Sequence, residues 1–133
     1  AEDVGHGARS AGDFVVMGSP NVVRGRSHLG WASAATMAEA GVCNVLSSDY
    51  YYPAMSRAAA ILSRRGVMDL AQSWALVSAN PAAACGLSDR GTLAVGKRAD
   101  VVVLDPQTQR VVLTIAAGRL AHLDATGGAR LAR

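Results

Sequence analysis

With 133 residues, 50% of them hydrophobic, 17% charged and 5% aromatic, the chain has material for one modest domain with a core of small and aliphatic side chains. No apolar run approaches the roughly 18 residues that a membrane helix needs, and Ala1-Glu2-Asp3-Val4-Gly5 carries neither a basic region nor an apolar core, so no membrane contact, no leader and a cytoplasmic setting are expected. The net charge of +3 comes from cations scattered between Arg9 and Arg133, without a dense run or interleaved aromatics, so no nucleic-acid partner is expected.

In chain order, residues 1–12 are rich in Gly, Ala and Ser and read as a frayed segment. A strand is predicted over 14–17, a long loop over 18–30, a helix over 32–40 and a second strand over 42–48, a β-loop-α-β unit of the kind a parallel sheet requires. Both apolar runs stop abruptly in small, polar and charged residues, as buried parallel strands do where they deliver side chains to a site. After the first, Arg24 offers a planar fork of donors suited to phosphate, Gly18 and Gly25 permit close backbone approach to an anion, and Asn21 and Ser27 add neutral hydrogen bonds. After the second, Asp49 in Ser47-Ser48-Asp49 is placed to bind a cation or accept a proton. The same residues equally suit a helix cap or turn at Asp49 and a solvated Arg-Gly-Arg loop.

Tyr50-Tyr51-Tyr52 reads as a packed loop, and Pro53 opens a helix to Arg65 with Met55, Ala59 and Leu62 on its apolar face. Arg64 and Arg65 suit the negative end of that helix, just before Gly66. A helix over 68–79 puts Leu70, Trp74 and Val77 on a core stripe, and Asn80 as N-cap with Pro81 at the first helical position starts a short helix through Ala84. From Ser88 the period changes, and Val101 to Leu104, Arg110 to Ile115 and Arg119 to Leu123 read as three antiparallel strands, with 124–133 a flexible tail. The expected division is therefore 13–87 and 88–123 between two loose ends. Lys97 and Asp100 read as turn residues, and His6 and His122 as isolated histidines. Cys43 and Cys85, too far apart in sequence for a metal knuckle or redox pair, read as packed, reduced thiols.

Four separated motifs in order, Met17-Gly18-Ser19-Pro20-Asn21-Val22-Val23-Arg24-Gly25 with Ser27-His28, Leu46 to Tyr50, Asn80-Pro81-Ala82, and Asp89-Arg90-Gly91 to Gly96-Lys97-Arg98-Ala99-Asp100, resemble the amidohydrolase superfamily. Within it the resemblance is strongest to diphosphatases of phosphonate breakdown, which release pyrophosphate from a triphosphorylated ribose phosphonate. It implies the C-terminal part of a (β/α)₈ barrel, comprising its last two strands and the helices that follow, plus a small antiparallel appendix from a flanking β-sandwich. It further implies that Asp49 ligates a divalent metal, zinc, and handles the proton of the attacking water. Asn21, Arg24, Gly25, Ser27 and His28 would hold the phosphorylated small-molecule substrate, and Tyr50 would wall the pocket. The chain departs from the family pattern at Leu29-Gly30-Trp31.

A complete barrel takes about 250 residues, so the resemblance implies a missing N-terminal half or completion by another copy in a homo-oligomer. The superfamily's other metal ligands, a His-x-His pair, a carboxylated lysine or glutamate and two further histidines, have no counterpart here. The isolated chain is therefore expected to be inactive. A deacetylase or deaminase of the same superfamily acting on C–N bonds, and a non-catalytic phosphate-binding fragment, are the competing readings.

Overall fold

The computed structural model describes residues 2–25 and 33–131. The two apolar runs become β1 (Val16–Gly18) and β2 (Val45–Ser47), paired in parallel with Val16 opposite Val45, Met17 opposite Leu46 and Gly18 opposite Ser47. Parallel neighbours need a crossover, and α2 (Ser19–Arg24) and α3 (Ala34–Glu39) lie within it. The helix α2 replaces the first part of the predicted loop. Pro20 pre-sets the backbone of its first turn, while Gly25 at φ 76° closes it by donating its N–H to the carbonyls of Asn21 and Val22. Ser33 then caps α3 by accepting the Thr36 N–H.

Next comes α4 (Ala54–Arg64), which buries Ala54, Ala58, Ala59, Ala60 and Leu62 and leaves Arg57 and Arg64 in solvent. The core gathers Val22 of α2, Met37 and Ala38 of α3, Val42, Cys43, Leu46 of β2, Ala58 and Leu62 of α4, and Leu76. Burial pushes the Cys43 thiol up, although its S–H donates to the Val45 carbonyl. The alanines let α2 and α4 approach closely, which explains how so few aromatic residues suffice.

Two expectations fail at α5 (Leu70–Ala75) and α6 (Ala79–Ala84). A capping box between Asp69 and Gln72 opens α5, but the residues it buries are Ser73 and the following Leu76, while Leu70 is exposed and Trp74 and Val77 only half-buried. The cause lies in β2, whose Leu46 N–H donates to the Leu76 carbonyl at 2.8 Å and draws that residue inward. Asn80, in turn, does not cap α6, since Ser78 occupies the cap position and the Asn80 amide donates to the Asn44 carbonyl at 2.7 Å. Together these two bonds satisfy groups on the edge of β2 that faces away from β1.

The N-terminal segment, expected to fray, is α1 (Glu2–Ser10). Acidic Glu2 and Asp3 in its first turn and Arg9 in its last complement the helix dipole, and buried Gly5 lets its backbone lie against Val42 and Met37. Replacing Gly5 by Ala would drive a methyl into Val42, so a loss of about 1–3 kcal/mol and release of α1 are expected. Gly7 has open space around it, and Gly7→Ala should instead stabilise by about 1 kcal/mol. Thermal melts followed by circular dichroism check the pair; equal effects of the two substitutions would mean that α1 is not docked through Gly5.

The C-terminal part is an antiparallel sheet in the order β3-β4-β5, with β3 (Val101–Leu104), β4 (Val111–Ala116) and β5 (Arg119–Leu123), as the change of period predicts. The tail differs from expectation and folds into α7 (Ala125–Leu131): Asp124 accepts the Gly127 N–H at 2.7 Å, and Gly127 lies close to the Val112 carbonyl. The chain is thus mixed α/β with a separate three-stranded antiparallel sheet. Among the described residues, no helix is long and apolar enough to cross a membrane.

A charged cluster ties the segment before β3 to the β4–β5 turn. Arg90 clamps Asp89 at 2.9 and 3.0 Å, Arg98 pairs with Asp100 at 3.0 Å, and Asp100 accepts the Ala117 N–H at 2.7 Å. The Arg90 hydrogen bond holds the Asp89 carboxyl below its ordinary 3.8, and the Ala117 N–H does the same for Asp100. Because both folded-state values are depressed, the stabilisation is present above the unfolded value and is lost as pH falls below 3.8 through the folded values. Melting temperature should therefore drop between pH 5 and pH 2 by less in Asp100→Asn than in the parent, roughly by the share one carboxylate carries. Identical pH profiles would remove Asp100 from the acid response.

Candidate functional site

The register of β1 and β2 brings their C-terminal ends together, with Gly18 beside Ser47 and the Ser48-Asp49 turn beside the start of α2. Asp49 adopts a left-handed backbone at φ 53°, a region that aspartate tolerates better than most residues. The turn is closed by the Tyr51 N–H donating to the Ser48 carbonyl at 3.0 Å. Pro53, not Asp49, stands at the N-cap of α4, so the capping alternative does not apply to Asp49. A Cβ placed on Gly18 would lie 3.2 Å from Asp49 Oδ2, which puts the carboxylate over the end of β1. Asp49 is exposed to solvent.

Arg24 and Tyr50 meet directly. The guanidinium Nη1 donates to the Tyr50 hydroxyl at 2.8 Å, and the guanidinium carbon stands 5.8 Å from the ring centroid, within reach of cation–π attraction. Both side chains are exposed, so the cation remains accessible to an anion while its position is restrained. Tyr50 thereby acts on Arg24 in addition to standing beside Asp49.

The remaining predicted contacts are placed differently. The Asn21 side-chain oxygen accepts the Ala34 N–H at 2.8 Å and fixes the start of α3 against α2. The Gly25 N–H is taken by the C-terminal carbonyls of α2, while the Arg65 guanidinium lies 3.8 Å from where its Cβ would be. Ser27, His28 and the departure around Trp31 lie outside the described residues. Ser19, which carried no weight in the sequence beyond its place in a motif, is fully buried at the strand end with its hydroxyl unpaired among the described residues.

A catalytic metal site needs three or more protein ligands, and among the described residues no three His, Cys, Asp or Glu side chains come together. His6 pairs loosely with Glu2 at 4.0 Å on the surface of α1, and His122 is exposed on β5. Asp49 alone therefore does not fit a divalent ion. A cleft of about 940 Å³ opens elsewhere, between α5–α6 and β3–β4, lined by Trp74, Val77, Leu87 and Leu93 among others; neither Asp49 nor Arg24 touches it. Its walls are mainly apolar, with Arg90 and Asp100 among the lining residues, which suits packing better than hydrolysis of an anion.

The profile of the amidohydrolase family matches residues 16–122. The chain is similar to alpha-D-ribose 1-methylphosphonate 5-triphosphate diphosphatase of Escherichia coli (strain K12), at 43% identity over 98 residues that make up 72% of this chain and 26% of the relative. Among solved structures it is similar to beta-aspartyl dipeptidase from the thermophilic, keratin-degrading Fervidobacterium islandicum AW-1, in complex with a beta-Asp-Leu dipeptide. That likeness has a TM-score of 0.73 and 18% identity, and covers 92% of this chain and 36% of the dipeptidase. The chain thus spans about a quarter of the curated relative's length and about a third of the solved one's. With a match that runs from the first residue of β1 to the penultimate residue of β5, the chain belongs to the amidohydrolase family.

Proposed function

We propose that the chain supplies the C-terminal portion of a cytoplasmic metal-dependent hydrolase. The reaction is cleavage of the 5-triphosphate of alpha-D-ribose 1-methylphosphonate 5-triphosphate, with release of pyrophosphate. The observation that carries this reading is the convergence at one strand end of a carboxylate, Asp49, with a restrained but accessible guanidinium, Arg24. The likeness to the Escherichia coli diphosphatase supports the substrate. The two parallel strands and their helices correspond to the end of a (β/α)₈ barrel, and the three-stranded sheet to part of a flanking sandwich. Among the described residues β1 is an edge strand with Phe14 and Val16 exposed, and an upstream strand or a second copy would pair there. Closing a barrel on the β2 side requires Leu76 to yield the Leu46 N–H.

In the reaction, water attacks the phosphoanhydride, the bond between the first and second phosphates breaks, and pyrophosphate departs. Asp49 accepts the proton of that water on a carboxylate oxygen. Arg24 binds phosphate oxygens through its remaining N–H groups, with Tyr50 limiting its motion. A divalent ion, zinc by family resemblance, would supply Lewis acidity, and Asp49 would hold it only together with ligands from beyond the described residues.

Steady-state pyrophosphate release by the assembled hydrolase tests the division of labour. Arg24→Ala should raise KM about tenfold or more with kcat little changed, because a contact made equally in ground and transition states contributes only to binding. A loss confined to kcat would move Arg24 from anchoring the phosphate to stabilising its transition state.

A further inference from the structure

Glycine at position 18 is not required by its own backbone, since φ −75° and ψ 126° suit any residue. What distinguishes the position is its neighbour. The three atoms nearest a Cβ built there all belong to Asp49: Oδ2 at 3.2 Å, Cβ at 3.5 Å and Cγ at 3.7 Å. The Asp49 backbone is held by its left-handed conformation and by the Ser48–Tyr51 turn. With that backbone held, a methyl at 3.2 Å makes the carboxylate give way by a few tenths of an ångström, which moves it. We propose that Gly18 is the positioning residue for Asp49: its bare Cα at the end of β1 leaves the volume into which the carboxylate is directed, and so sets where that carboxylate stands at the strand ends. The functional weight of this assignment rests on the hydrolytic role proposed for Asp49, whereas the contact itself does not.

A double-mutant cycle on the full chain tests it. Gly18→Ala should lower the melting temperature by several degrees in the parent, yet have no such effect in an Asp49→Gly background, where the atoms it strikes are gone. A purely architectural need for glycine at position 18 would give the same loss in both backgrounds. The second readout is the χ1 rotamer of Asp49, read from its three-bond scalar couplings, which should change in Gly18→Ala because the methyl takes the volume the carboxylate occupies. The rotamer should be unchanged in Gly7→Ala, a control position with open space around it.

Equal losses in both backgrounds, or an unchanged Asp49 rotamer in Gly18→Ala, overturns the proposal. If Gly18→Ala does not fold, the double variant decides: recovery of the folded state with Asp49→Gly supports the assignment, and failure to recover overturns it. Neither readout uses turnover. A hydrolase lacking pyrophosphate release would therefore remove the role of Asp49 in chemistry while leaving the Gly18 contact to stand or fall on the cycle.

Discussion

Asp49→Asn in the assembled hydrolase is expected to lower kcat by about a hundredfold or more with little change in KM, the range that loss of a general base produces. The substitution is close to isosteric, and asparagine tolerates the left-handed backbone at φ 53° as well as aspartate does. Packing over Gly18 is therefore preserved, and the change isolates the loss of charge and basicity. Unaltered melting temperature with collapsed turnover is the expected combination. Near-normal turnover would remove Asp49 from the chemistry and with it the hydrolytic reading of the strand ends.

The largest stability effect is expected at Leu62. It is fully buried on α4, within the cluster that also holds Val22, Met37 and Leu46, so truncation leaves a cavity where helices α2 and α4 pack on the sheet. Leu62→Ala should cost about 2–5 kcal/mol, a large share of the roughly 5–15 kcal/mol that stabilises a domain. Arg57→Ala, on the exposed face of the same helix, should change stability by about 0.5 kcal/mol or less. Urea unfolding of both variants at one protein concentration separates them. Comparable midpoints would mean that α4 does not form the core wall.

What could be read from the sequence was decided by period and punctuation. The parallel pair β1 and β2, the helix from Pro53 and the three C-terminal strands follow from apolar runs bounded by Gly, Pro and Ser. Helix α1 could not be read, because Gly5 and Gly7 in its interior argue against a helix until the contact of Gly5 with Val42 is known. Helix α2 was hidden because a Ser-Pro-Asn start looks like a turn. The burial of Leu76 and the true role of Asn80 could not be read because their partners, Leu46 and Asn44, sit thirty and thirty-six positions earlier, in and beside a strand whose unpaired groups have no local signature. At the site, the sequence indicated that Arg24, Asp49 and Tyr50 belong together. It could not show that Asn21 and Gly25 spend their polar groups on the backbone, nor that Gly18 faces a carboxylate.

Product identity tests the central claim most directly. The assembled hydrolase is supplied in parallel with alpha-D-ribose 1-methylphosphonate 5-triphosphate and with an N-acetylated amino sugar, and pyrophosphate and free amine are measured. Pyrophosphate from the first, with no amine from the second, is the predicted result. Amine release without pyrophosphate would contradict the account and reassign the strand-end carboxylate to C–N bond hydrolysis.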